Sequence, residues 1–85
     1  MNINLELYKV FLSVAKNGNI TKAANELMIS QPGVSKSIKN LEEQLNCSLF
    51  VRTKSGVYLT EEGKLFYSKL SDAMELIDNA EKSLM

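Results

Sequence analysis

The chain has 85 residues, 45% hydrophobic and 24% charged, which is the make-up of one small globular domain and excludes an intrinsically disordered segment. With no histidine and a single cysteine, Cys47, it has neither the commonest metal ligand nor an intramolecular disulfide. Ten basic residues balance ten acidic ones, yet residues 1–60 hold seven basic groups against four acidic and residues 61–85 three against six, so the two parts are suited to different partners.

Leu5, Tyr8, Phe11, Leu12 and Ala15, widened by Leu7, Val10 and Val14, are spaced for a helix over 4–17. Asn17-Gly18-Asn19 ends it, Gly18 supplying a left-handed residue at little cost and Asn19 a cap for a second helix over 20–27. Ile20, Ala23, Ala24 and Leu27 form the apolar side of that helix, and the two alanines allow another helix to cross closely. After a short Met28-Ile29 connection, Ser30 is placed to cap a third helix over 31–45, with Pro32 in the first turn, where its missing N–H is harmless. Val34, Ile38, Leu41 and Leu45 give this helix a narrow core-facing stripe, and Asn46 stops it.

Leu49–Arg52 and Val57–Leu59, around the turn Thr53-Lys54-Ser55-Gly56, read as two short strands anchored on the helices by Leu49, Phe50 and Leu59. Thr60 caps a last helix, with Glu61 and Glu62 in its first turn. Phe66, Leu70, Ala73, Ile77, Ala80 and Leu84 follow at spacings of four and three, an a/d pattern that predicts a helix running to the chain end and a dimerisation seam. The expected fold is mainly α: a winged helix-turn-helix of three helices and a two-stranded hairpin over 1–60, the helix-turn-helix pair at about 20–39, and a linker helix over 61–85.

In a helix-turn-helix the second helix of the pair lies in the DNA major groove. At about 100° per residue, Pro32, Lys36, Lys39 and Glu43 lie opposite the core stripe of the third helix, flanked by Gln31 and Ser35. Gln pairs with adenine, Lys with guanine and Ser with either, and the helix N-terminus attracts phosphate. Thr21 and Lys22 at the start of the second helix suit phosphate contacts, and Arg52 and Lys54 on the hairpin suit phosphates or the minor groove. Each of these is also an ordinary surface residue, Ser30 an ordinary cap, and Arg52 a candidate for a structural ion pair; the reading rests on their placement together. Two other readings stay open on the residues: a protein-interaction module worked by the last helix, and a different winged-helix family such as the MarR-like proteins. An enzyme has no nucleophile–base pair or phosphate loop to draw on, and Cys47 is expected to be a partly buried small apolar residue.

The run Gly18-Asn19-Ile20-Thr21-Lys22-Ala23-Ala24-Asn25-Glu26-Leu27, then Ser30-Gln31-Pro32-Gly33-Val34-Ser35-Lys36-Ser37-Ile38-Lys39-Asn40-Leu41-Glu42, resembles the signature of LysR-type transcription regulators. Leu49-Phe50-Val51-Arg52 and Leu59-Thr60-Glu61-Glu62-Gly63 continue the likeness, which covers about residues 3–65. The resemblance implies a dimer joined by antiparallel linker helices on a double-stranded DNA operator, with Gln31, Pro32, Ser35 and Lys36 reading bases. It implies no cofactor or metal, and a small-molecule effector bound only through a C-terminal domain that these 85 residues are not expected to contain. The chain is then either a piece of a longer regulator or a stand-alone module. Two positions depart from the family: Asn46 stands where Gly is usual, and Ser55 where many members carry a basic wing-tip residue. The N-terminus does not read as a signal peptide and no apolar run is of membrane length, so the cytoplasm is the expected compartment.

Overall fold

The computed structural model describes residues 2–85 and contains four helices and one hairpin: α1 (Leu5–Asn17), α2 (Ile20–Leu27), α3 (Gln31–Leu45), β1 (Phe50–Thr53), β2 (Gly56–Leu59) and α4 (Glu61–Lys82). Each helix starts at a side-chain cap. Asn4, Asn19, Ser30 and Thr60 accept hydrogen bonds from the backbone N–H groups of Glu6, Lys22, Gly33 and Gly63 respectively. Gly18 ends α1 with φ 63°, and Asn46 ends α3 with φ 57°, in the left-handed conformation that Asn tolerates.

The core is one cluster. Phe11 and Val14 of α1, Ala23 of α2, Val34 and Leu41 of α3 and Leu49 before β1 are essentially inaccessible to solvent. The Phe11 ring lies 5.2 Å from both the Phe50 and the Phe66 rings, which joins α1 to the hairpin and to α4 in tilted and edge-on aromatic contacts. Ala23 and Ala24 are both buried, so the small pair does lie at the helix crossing.

β1 and β2 pair antiparallel, with Phe50 opposite Leu59, Val51 opposite Tyr58, Arg52 opposite Val57 and Thr53 opposite Gly56. Lys54 and Ser55 form the tip. Phe50, Val57 and Leu59 pack on the helical core, and Val51 and Tyr58 face outward.

Three polar links fix the elements to one another. Ser13, buried on α1, donates to Glu26 on α2 at 2.5 Å, and Lys16 reaches the same carboxylate at 2.9 Å. One oxygen of Glu42 on α3 accepts from the N–H groups of Leu49 at 2.6 Å and Phe50 at 3.2 Å. The Gly18 carbonyl accepts from Val57 N–H at 3.1 Å, which joins the α1–α2 loop to β2.

The apolar periodicity of α4 resolves into two uses. Leu70 is buried in the chain's own core and Phe66 is half-buried against Phe11 and Tyr8, so Leu70 is not free for a seam with a second chain and Phe66 is largely committed. Leu84 also departs from expectation: the helix ends at Lys82, and Leu84 lies beyond it, exposed. The core thus extends across the division between residues 1–60 and 61–85. Past Met74, α4 runs clear of the body, and the molecule measures 44 × 26 × 22 Å.

Candidate nucleic-acid interface

The placement of α3 decides the site. Val34, Ile38 and Leu41 are buried and Leu45 is half-buried, which turns the opposite side of the helix to solvent. Gln31, Pro32, Lys36 and Lys39 are exposed there, and Ser35 is half-buried at its edge. Gln31 and Pro32 occupy the first two positions of the helix, beside its unpaired N–H groups. The Ser30 hydroxyl accepts from Gly33 N–H at 3.0 Å, which leaves its proton and one lone pair for a ligand.

Thr21 and Lys22 are exposed in the first turn of α2, the Lys22 N–H held by Asn19. Arg52 and Lys54 are exposed on the hairpin. Among the described residues the ion pairs are Lys9–Glu6, Lys16–Glu26, Lys64–Glu61 and Lys82–Asp78. None engages Lys22, Lys36, Lys39, Arg52 or Lys54, so the structural ion pair considered for Arg52 is not formed. The lysines tied to carboxylates lie on α1 and α4, and the cations left over are those on α2, α3 and the hairpin, together with Lys69.

Sequence reasoning passed over two groups here. Asn40 is exposed on the outward side of α3 beside Lys36, Lys39 and Glu43, its side-chain oxygen accepting from Gln44 at 3.0 Å. Helical spacing from Lys36 was signal enough to find it. The hydroxyls of Thr53, Ser55 and Tyr58 meet at the hairpin tip, an arrangement visible only once the strand register is known.

Of the residues expected on the α4 seam, Ala73, Ile77 and Ala80 are exposed, Phe66 and Leu70 turn inward, and Leu84 lies past the helix. A different stripe of α4 is open to solvent: Leu65, Lys69, Asp72 and Leu76, at spacings of four, three and four, all exposed. An apolar groove lies beside Leu65, lined also by Leu45, Cys47, Leu49 and Phe66 and rimmed by Glu62 and Lys69. Cys47 is half-buried in its wall. Among the described residues no group of acidic or sulfur ligands is set to hold a metal ion, and no helix is long and apolar enough to cross a membrane.

A helix pair joined by a tight turn, its second helix polar on the outside, and a two-stranded hairpin behind it define a winged helix-turn-helix protein. The profile of the family described as "Bacterial regulatory helix-turn-helix protein, lysR family" matches residues 5–64. The HTH-type transcriptional regulator YofA of Bacillus subtilis is 44% identical over 75 residues, covering 88% of this chain and 26% of that protein. BudR of Klebsiella aerogenes is 41% identical over 78 residues, covering 92% of this chain and 54% of that protein. Among solved structures, the BenM DNA-binding domain in complex with catB site 1 DNA superposes with a TM-score of 0.91 at 33% identity, covering 96% of this chain and 92% of that one. The CbnR DNA-binding domain in complex with DNA gives a TM-score of 0.86 at 30% identity, covering 95% of this chain and 93% of that one. The chain belongs to the LysR family, and its fold is that of the family's winged helix DNA-binding domains. It spans about a quarter of the length of YofA and about half that of BudR.

Proposed function

We propose that this chain binds a double-stranded DNA operator as a dimer and is the DNA-reading part of a LysR-type transcription regulator. The observation that carries the reading is the two-sidedness of α3: Val34, Ile38 and Leu41 lie in the core while Gln31, Pro32, Lys36 and Lys39 face solvent, with no carboxylate paired to either lysine. A helix presented in this way fits a major groove. Gln31, Pro32, Ser35 and Lys36 then meet base edges, and Lys39 and the Ser30 hydroxyl lie where phosphates pass. Thr21 and Lys22 meet the backbone at the start of α2, and Arg52 and Lys54 meet it from the hairpin. That BenM and CbnR domains of this shape were solved on DNA supports the assignment.

The dimer uses α4. The solvent-facing stripe Leu65, Lys69, Asp72 and Leu76 is separate from the core-packing residues Phe66 and Leu70. An antiparallel pairing centred between Leu70 and Ser71 sets Leu65 against Leu76 of the partner subunit and Lys69 against Asp72 of the partner subunit, in both directions. The exposed Ala80, four residues beyond Leu76, extends the contact. Such a regulator works in the cytoplasm, catalyses no reaction and needs no cofactor, and any small-molecule effector acts through a further domain outside these residues.

Selection of bound duplexes from a random pool tests the reading. The chain should enrich one short, two-fold symmetric motif. Gln31→Ala should relax the preference at one base pair of each half-site by about 1–3 kcal/mol. Failure of any sequence to enrich, with the chain folded, overturns it.

A further inference from the structure

The hairpin tip departs from the usual two-residue loop and carries a set of side-chain hydrogen bonds. Two-residue hairpin loops normally use a turn with positive φ at one or both tip residues, because that matches the twist of the strands. Among the described residues positive φ occurs only at Gly18, Met28, Asn46 and Gly56, so neither Lys54 nor Ser55 has it. The reversal is completed one residue late, by Gly56 at φ 144°, and side chains hold it. Thr53 Oγ1 accepts from Ser55 N–H at 3.2 Å, donates to the Gly56 carbonyl at 3.3 Å, and lies 3.0 Å from Ser55 Oγ. Ser55 Oγ in turn lies 2.9 Å from the Tyr58 hydroxyl.

Tyr58 is the far end of this chain of hydroxyls. Its ring stands on the outward face of the hairpin, opposite Val51, and is 53% exposed. Core packing does not account for a tyrosine there, because the inward positions of the strand are filled by Val57 and Leu59. What the Tyr58 side chain does is reach back along β2 to the tip with its oxygen. Lys54 lies at the apex between the two tethered residues, exposed and without an ion pair.

We propose that Tyr58 is a positioning residue for DNA binding: through Ser55 and Thr53 it holds the hairpin tip in the one shape that presents Lys54 to a phosphate. The inference rests on the DNA-binding reading above. A tip held in advance loses less conformational freedom on binding, and so keeps more of the phosphate contact as affinity. It also gives Ser55 a task where a basic residue would serve in another way, by charge.

A double-mutant cycle tests this with the full chain and a duplex recovered by selection, titrated at several salt concentrations. Tyr58→Phe keeps the ring and removes only the hydroxyl. It should weaken binding several-fold and flatten the salt dependence toward that of Lys54→Ala, which lacks one phosphate contact and about 0.9 in slope. In the Lys54→Ala background Tyr58→Phe should have no further effect, and Ser55→Ala should repeat both results. An equal loss in both backgrounds means that the Tyr58 hydroxyl touches DNA itself or supports the fold at large, and overturns the proposal. An undiminished affinity in Tyr58→Phe overturns it as well. If Lys54→Ala binds like the unaltered chain while Gln31→Ala does not, the positioning role fails and the DNA-binding reading stands; if the folded, unaltered chain binds no duplex, that reading fails first.

Discussion

The carboxylate of Glu42 and the backbone N–H of Leu49 lie 2.6 Å apart, so the helix proposed to read DNA and the segment leading into the hairpin are held by one charge-assisted hydrogen bond. The same oxygen takes the Phe50 N–H, and both contacts are partly buried. Glu42→Ala leaves two backbone donors without their partner and should cost about 1–3 kcal/mol. Glu42→Gln keeps an acceptor oxygen and should cost distinctly less. Urea unfolding of the two variants measures the difference; equal losses would mean that the carboxylate oxygen is not what the strand requires.

Glu26 makes the corresponding link between α1 and α2, and it should make stability depend on pH. Hydrogen bonds from Ser13 and Lys16, with the charge of Lys16 and a weaker bond from Asn17, hold its carboxyl below the ordinary value of 4.5 despite some desolvation. A carboxyl lowered on folding adds stability that is fully present above its unfolded-state pKa and is lost as pH falls through the lower folded value. The stability advantage of the unaltered chain over Glu26→Gln should therefore be constant near neutral pH and shrink as the pH drops below the ordinary carboxyl value of 4.5. An advantage that persists unchanged in acid would show that the ionised form is not what Ser13 binds.

Gly63 sits where α4 meets the segment before β1. A Cβ at this position would overlap the Leu49 carbonyl oxygen and come within 3.0 Å of the Leu59 side chain. The obstacle is backbone, which cannot turn aside, and that carbonyl is already bonded to Thr60 N–H at 3.0 Å. Gly63→Ala should destabilise the fold by about 3 kcal/mol, the upper end for overpacked sites, although alanine is the better helix former. A thermal melt at or above that of the unaltered chain would mean that the contact relaxes freely.

The α4 pairing makes a charge-swap prediction. Lys69→Glu and Asp72→Lys should each weaken self-association, and the double variant should restore it, because each pair then meets with its signs exchanged. Leu76→Asp should leave the chain monomeric and weaken operator binding with it. Sedimentation at matched concentrations reads these out. Restoration by the double variant is specific to the proposed register, since a parallel pairing would set Lys69 against Lys69.

How much of this could be read from residue order follows the range of the forces involved. Asn19, Ser30 and Thr60 were legible as caps, and Gly18 and Asn46 as helix stops, because a cap is settled within four residues. The outward face of α3 was legible because its apolar stripe has one destination. Periodicity failed on α4, where Phe66 and Leu70 belong to the chain's own core while Ile77 and Ala80 stand free of it. A repeat of fours and threes gives the spacing of a stripe without saying which surface it meets. Met28, which takes φ 58° at the end of α2 with its side chain 90% exposed, had no local signal, because methionine is not a residue that seeks that conformation. The bonds of Ser13 to Glu26 and Glu42 to Leu49 depend on how the elements meet in space.

On the proposed DNA-binding reading, the hydrogen bond from Val57 to Gly18 bears on which duplexes the chain tolerates. It fastens the hairpin to the loop just ahead of Lys22, and Gly56 admits no side chain there, since a Cβ would lie 2.9 Å from the Gly18 oxygen. Two sets of cations braced in this way act as a gauge of set width. A groove that departs from the gauge has to be bent to fit, at a cost that varies with how stiff its base steps are, so bases that no side chain touches would still be sorted by their flexibility.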